Sequence, residues 1–317
     1  MTANSWTVQP LDSFRLGNYQ FPLPCYLCEE NNLFDAAMCR RCHAPLALTR
    51  SSMQKKGARP NLVLTLGADD VGKSIYLGTL LDILSRERDR SDVTSHGPSS
   101  VSLQHRAMSA LAKGEFPDQT SPNPEDWYWA QCRLQRRSRK EPFTVFFPDM
   151  SGNAIFAEID RPNSHRSVTG GCARATGVYL FVDSARIEKG DKDEEFLALK
   201  ILSYLGEVLE REAEESAATA GRRGRAHKAP PLAIVLAKAD QCESCWEDPA
   251  GFVAGNLPGL WQHCCDNFPV HDAFAVSVVG ACARNFYDAG RFEQIPLRVE
   301  PRGIMEPFRW MMRNIMT

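Results

Sequence analysis

The sequence of 317 residues has no apolar run approaching the roughly 18 residues a membrane-spanning helix needs. Its longest runs, at 62–66 and 178–182, have the length of strands. It also lacks a charge excess. With 37 Lys+Arg against 39 Asp+Glu, the net charge is −2, which argues against a globally basic nucleic-acid binder and leaves only local patches. Residues 1–10 have neither a basic n-region nor an apolar h-region, so no secretory leader is read and a cytoplasmic protein is expected. An even cysteine count is missing as well. The 11 cysteines fit a disulfide framework badly, and a reducing compartment with metal-bound and free thiols better. No repeat of 20–50 residues is visible.

The rest is ordinary globular material, 43% hydrophobic and 24% charged, enough for a sizeable core. Residues 1–20 read as an irregular tail. Residues 21–48 hold four cysteines in two pairs, and 49–59 are polar and basic, a linker. From 60 to 317 strand and helix patterns alternate. Strands are expected at 61–66, 127–134, 143–147, 178–182, 232–236 and 273–278. Helices are expected at 74–86, 103–113, 194–213 and 304–316, with a low-complexity stretch at 214–228. That alternation implies an α/β sandwich of three layers with a mainly parallel sheet.

Between the first strand and helix lies Gly67-Ala68-Asp69-Asp70-Val71-Gly72-Lys73-Ser74, a match to G-x-x-x-x-G-K-[ST]. Glycines let the backbone turn tightly and aim its N–H groups at phosphate oxygens. Lys73 brings a point charge to the β- and γ-phosphates, and the Ser74 hydroxyl suits Mg²⁺. The following helix adds the positive end of its dipole. The alternative is a Gly-capped turn without ligand.

Further short motifs follow in chain order. Asp149-Met150-Ser151-Gly152 is a D-x-x-G at a strand end. An Asp there holds Mg²⁺ through water, and the Gly N–H meets a γ-phosphate. Ala237-Lys238-Ala239-Asp240 is close to N-K-x-D. The Lys stem packs on a purine ring, and the Asp accepts from guanine N1–H and its 2-amino group, a donor pair adenine lacks. Ser277-Val278 ends a later strand, where a short loop would meet the base.

With these motifs in place, residues 60–317 resemble a small-GTPase-like domain of the translation-factor-related (TRAFAC) class of P-loop NTPases. The resemblance implies GTP or GDP with Mg²⁺ as ligands. It makes Lys73 and Ser74 the phosphate and Mg²⁺ residues, Asp149 and Gly152 the second switch, and Asp240 the guanine reader. Gly67, Asp70, Val71, Gly72, Ile75, Lys238, Ser277 and Val278 complete the nucleotide site. The first switch needs a Thr on Mg²⁺. Thr120, in the loop before Trp127, is the candidate, Thr94 the runner-up, and a plain loop residue the remaining reading.

The sequence departs from the family's pattern in places. Asp69 and Asp70 stand where many relatives carry small residues, and would repel a triphosphate unless they point outward. Asn153 stands where a Gln orients the attacking water in many GTPases, which implies slow intrinsic hydrolysis. Ala237 replaces the Asn of N-K-x-D. The layout is most similar to the bacterial double-GTPase group of conflict systems. That implies a protein partner, a second GTPase or a larger assembly, and the expected function is a hydrolysing GTP switch. The rival readings are a nucleotide-binding scaffold with little turnover and a P-loop ATPase.

Cys25-x-x-Cys28 and Cys39-x-x-Cys42, ten residues apart, have the spacing of two knuckles around one tetrahedral Zn²⁺. The segment resembles bacterial zinc ribbons, which are usually docking modules. It is too short for its own core, so metal binding would supply its folding energy. His43 is unneeded as a ligand. Cys242, Cys245, His263 and Cys264 suggest either a second zinc site or free thiols. Arg133, Arg136, Arg137, Arg139 and Lys140, and separately Arg222, Arg223, Arg225 and Lys228, are either partner patches or solvated turn charge. No aromatics are interleaved with them, so nucleic acid is not indicated. Trp127, Tyr128 and Trp129 fit a half-buried strand.

Overall fold

The computed structural model describes residues 22–54, 60–86, 93–135, 143–220, 229–286 and 292–316. The tail at 1–20 lies outside the described residues. So do both basic groups, apart from Arg133.

Strands β1 (Leu23–Pro24) and β2 (Asn31–Asn32) form a small antiparallel pair, followed by helix α1 (Ala47–Gln54). Helix α1 takes up the first half of the stretch read as a linker. Leu48 and Thr49 are buried there, and Thr49 Oγ1 accepts from the Tyr26 N–H at 2.9 Å.

Strand β3 (Asn61–Leu66) runs through the phosphate loop into α2 (Lys73–Arg86). Next come β4 (Val93–His96), α3 (Pro98–Ala112), β5 (Trp129–Leu134), β6 (Phe143–Pro148), α4 (Gly152–Asp160) and α5 (Arg166–Arg174). Strand β7 (Gly177–Asp183), short α6 (Ser184–Glu188) and long α7 (Asp193–Ala220) follow. The chain continues through β8 (Leu232–Ala237), α8 (Pro249–Asn256), α9 (Pro258–Asn267) and β9 (His271–Ala275). It ends with β10 (Ser277–Phe286), β11 (Phe292–Arg302) and α10 (Met305–Ile315).

Seven strands form one sheet in the order β4-β5-β6-β3-β7-β8-β9. β6, β3, β7, β8 and β9 run parallel, and β4 and β5 form an antiparallel edge. Leu62, Leu64 and Leu66 face one core with Leu180 and Ile234, under α4, α5 and α7. Val63, Tyr179, Phe181 and Val235 face the other, under α2, α3 and α10. Covering both faces is why these strands read as continuous apolar runs. The three-layer α/β sandwich with a mainly parallel sheet is therefore the observed fold.

The structure differs from the sequence pattern at several elements, of which three bear on the site and its surroundings. The strand expected at 273–278 is split at Val276 into β9 and the start of a β10–β11 hairpin, a separate sheet. The helix expected at 103–113 begins five residues earlier, with Pro98 in its first turn. Helices α4 and α5 fall in a stretch to which the sequence pattern assigned no element. Gly170 of α5 is a close-approach position: a Cβ there would lie 2.3 Å from the Leu27 carbonyl oxygen.

That contact joins the cysteine segment to the sheet. Leu23, Leu27, Leu46 and Leu48 lie in one continuous core with Val168 and Cys172 of α5. Arg174 adds an ion pair to Glu29 at 2.9 Å and lies over the Tyr26 ring. Among the described residues no helix is long and apolar enough to cross a membrane.

Candidate nucleotide site and metal centre

The phosphate loop leaves the C-terminal end of β3, where open α/β sheets place their ligands. Gly67 (φ +147°), Asp70 (φ +59°) and Gly72 (φ +104°) have positive φ. A Cβ at Gly67 would meet the Phe181 carbonyl oxygen at 2.7 Å, so only glycine fits that turn. Lys73 is buried, and its Nζ donates to the carbonyls of Gly67 (2.9 Å) and Ala68 (2.6 Å). Burial lowers its pKa to about 8, against the opposing pull of Asp69, Asp149 and Asp70.

Three hydroxyl and carboxylate groups converge beside it. Ser74 Oγ lies 2.8 Å from Asp149 Oδ1 and 2.9 Å from Thr120 Oγ1, and Thr120 Oγ1 lies 3.3 Å from Asp149 Oδ2. Asp149 is fully buried, which raises its carboxyl above the ordinary range, while Ser74 and Lys73 pull it down. These hard oxygen donors suit Mg²⁺. Thr94 is elsewhere: it sits on edge strand β4, with its hydroxyl against the Arg133 carbonyl. The loop bearing Thr120 is anchored by Arg106 of α3, which donates to the carbonyls of Asp118 (2.6 Å) and Gln119 (3.3 Å).

Both loop carboxylates are engaged, Asp69 half-buried and Asp70 exposed. Asp69 accepts from the Gly152 N–H at 2.6 Å and the Asn153 N–H at 3.0 Å. Asp70 accepts from Gln119 Nε2 at 2.6 Å. Asn153 itself is exposed.

A cavity of about 590 Å³ runs from this loop to the end of β8. Asp70, Val71, Gly72, Lys73, Ser74 and Ile75 line it at one end, and Lys238, Asp240 and Val278 at the other. Asp240 Oδ1 is 2.8 Å from Ser277 Oγ. Lys238, itself at φ +58°, pairs through Nζ with Asp183 Oδ2 at 2.6 Å. Gly67, Gly152, Asn153 and Ser277 are not wall residues of the cavity; they border it through the contacts above.

Residues 64–287, more than half of the chain, match the family model described as Double-GTPase 1. The chain belongs to the Double-GTPase 1 family. None of the curated proteins matches it. Among solved structures, it is similar to the S. cerevisiae Ski7 GTPase-like domain bound to GTP, at 14% identity and TM-score 0.40, over 81% of this chain and 50% of that one. The SRb-GTP/SRX complex of Chaetomium thermophilum is similar at 11% identity and TM-score 0.39, over 71% and 93%. Roco2 RocCORdC of Methanosarcina barkeri, bound to GDP, is similar at 15% and 0.37, over 83% and 50%. This chain thus spans about half the length of two of them.

In this double-GTPase family member the cysteine pairs form a compact group. Cys25, Cys28, Cys39 and Cys42 have their sulfurs within 4.8 Å of one another. Glu29 and His43, each next after a knuckle's second cysteine, take positive φ (60° and 56°), which turns the knuckles back on themselves. Hydrogen bonds from Cys25 and Cys42 pull the Cys28 thiol far down, while its neighbours push Cys42 up. Four sulfurs so placed suit a tetrahedral Zn²⁺. No second cluster of this kind exists among the described residues. Cys242, Cys245 and Cys264 are buried, and burial raises the Cys245 and Cys264 thiols to about 12. They are core thiols, which corrects the suggestion of a second zinc site.

Sequence reasoning missed three groups of residues. Asp183 ends β7 and holds Lys238, and Ser184 donates to the Ala237 carbonyl at 2.7 Å. A polar pair ending a buried strand was the available signal. Arg106 and Gln119 carried none. Cys282 and Gln294 reach the cavity from the β10–β11 hairpin, which the sequence pattern concealed.

Proposed function

We propose that this chain binds GTP with Mg²⁺ and hydrolyses it, acting as a molecular switch. The observation that carries this is the meeting of Ser74, Thr120 and Asp149 beside buried Lys73. These three come from a helix start, a loop and a strand end, up to 75 residues apart. In this reading Lys73 and the loop amides hold the β- and γ-phosphates, and Asp240 reads guanine while Lys238 packs on the ring. Ser277 and Val278 border the base. Ser74, Thr120 and Asp149 hold Mg²⁺, which when bound neutralises charge developing on the transferred phosphoryl group.

Water adds in line to the γ-phosphorus as the bond to the β–γ bridging oxygen breaks, leaving GDP and inorganic phosphate. Asn153, or a partner, orients that water. Thr120 and Gly152 change position with the γ-phosphate and so report its presence.

The cysteine group holds Zn²⁺ and forms a docking module for a protein partner, a second GTPase or a larger assembly, in a cytoplasmic bacterial conflict or defence system. Leu33, Phe34 and Met38, exposed between the two knuckles, support docking there. A second reading, a nucleotide-binding scaffold with little turnover, is favoured by the Asp69 carboxylate on the Gly152 amide.

The test is phosphate release from GTP by the zinc-loaded full chain. The switch reading expects Mg²⁺-dependent turnover that falls at least tenfold in Thr120→Ala. Retained nucleotide with no turnover would favour the scaffold.

A further inference from the structure

Both carboxylates of the phosphate loop are engaged, each with a different switch. Asp69 reaches across to the first turn of α4. Oδ1 accepts from the Gly152 N–H at 2.6 Å, Oδ2 from the Asn153 N–H at 3.0 Å, and Ser151 Oγ lies 3.4 Å from Oδ1. Ser151 is the N-cap residue of α4, yet its own side chain caps nothing. The cap comes instead from a residue 83 positions away in sequence. A carboxylate on the first amides of a helix is a charge-assisted contact, also favoured by the helix dipole.

The contact is tight. A Cβ at Gly152 would meet the Asp69 nitrogen at 2.3 Å and the Ala68 carbonyl carbon at 2.5 Å. The loop and the start of α4 therefore touch, with no room for a third group between the carboxylate and the amide.

On the proposed function, on which this inference rests, the Gly152 N–H is the group that meets a γ-phosphate. A γ-phosphate and the Asp69 carboxylate are both anions seeking one donor. The α- and β-phosphates need only the loop's own amides and Lys73, so a diphosphate leaves the Asp69 contact in place. A triphosphate must displace it and then lie beside the freed carboxylate.

We infer that Asp69 is a specificity-determining residue: its carboxylate occupies the second-switch amides in place of a γ-phosphate and so biases the site toward the nucleoside diphosphate. Asp70 provides an internal comparison. Its carboxylate meets the Gln119 side chain, not a switch amide, so its removal changes local charge without freeing Gly152.

The experiment measures binding of GDP and of a non-hydrolysable GTP analogue, with Mg²⁺, to the full zinc-loaded chain and to its variants. Asp69→Ala and Asp69→Asn are expected to shift the affinity ratio at least tenfold toward the triphosphate, with GDP affinity changed less than threefold. Asp70→Ala is expected to shift the ratio less than threefold. Because Asn keeps the size of Asp, it covers the case in which Ala unfolds the loop. Hydrogen exchange at Gly152 and Asn153 provides a second readout: with GDP bound these amides should exchange faster in Asp69→Asn than in the parent. An unchanged ratio in variants that still bind GDP overturns the inference and leaves the nucleotide reading intact. Equal shifts in the Asp69 and Asp70 variants also overturn it, since general charge would then be the cause. A parent chain that binds neither nucleotide overturns both.

Discussion

The Ser74 hydroxyl lies 2.8 Å from the Asp149 carboxylate, although 75 residues separate them. One opens the helix that follows β3 and the other follows β6, the strand paired beside β3, so only the folded α/β layer brings them together. With Thr120 against both, a set of oxygen donors forms around one point.

If that point holds Mg²⁺, removing either anchor weakens Mg²⁺-dependent nucleotide binding. Ser74→Ala and Asp149→Asn are each expected to lower GTP affinity in Mg²⁺ by about tenfold or more, about 1.4 kcal/mol or more. In excess chelator the parent and variants should differ little. Calorimetric titration with and without Mg²⁺ checks this. Equal losses in both conditions would mean that the two residues only shape the loop.

Lys73 makes the binding pH-dependent in a stated direction. Burial holds its pKa at about 8, below the 10.5 of a free lysine. Below that pH its charge costs the folded state stability, and the cost fades as the pH rises from about 8 toward the unfolded value. Phosphate oxygens beside the amine favour its charged form, so binding above pH 8 takes up a proton there. Affinity then falls by up to about tenfold per pH unit. Titrations in buffers of different ionisation enthalpy, at neutral pH and near pH 9, read that uptake directly. Uptake near pH 9 but not at neutral pH is the expected result.

The cysteine group is built into the core shared with α5 rather than hung from a linker. Removing Zn²⁺ is therefore expected to lower the melting temperature of the whole chain. Structural zinc contributes on the order of 10–16 kcal/mol to folding in isolated fingers, and only part of that passes to the α/β layer through Leu27 and Gly170. Metal analysis should find one zinc per chain, lost in Cys39→Ser. Thermal melts of both forms check the coupling, and a melting temperature unchanged by complete zinc loss would refute it.

Local chemistry explains what could be read in advance. The phosphate loop declares itself because Gly67, Gly72, Lys73 and Ser74 each meet a separate demand of phosphate binding within eight residues. The buried parallel strands declare themselves because both faces are covered. The hairpin was concealed because Val276 continues the apolar run of β9 into β10, and only β-ladder partners distinguish the two. The reason for Gly170 in helix α5 is the Leu27 carbonyl 143 positions earlier, which no local pattern reveals. The directions of Asp69 and Asp70 could not be read either. A carboxylate's partner is set by which amides the fold brings near, and here those belong to α4 and the Thr120 loop.

The central claim is a guanine-nucleotide site built on Lys73 and Asp240. The most direct measurement is competition between GTP and ATP analogues for the zinc-loaded chain in Mg²⁺, with Lys73→Ala and Asp240→Ala alongside. The account predicts that GTP wins, that Lys73→Ala abolishes binding, and that Asp240→Ala removes the preference while keeping some affinity. ATP binding as well as GTP, or binding that survives in Lys73→Ala, would contradict it.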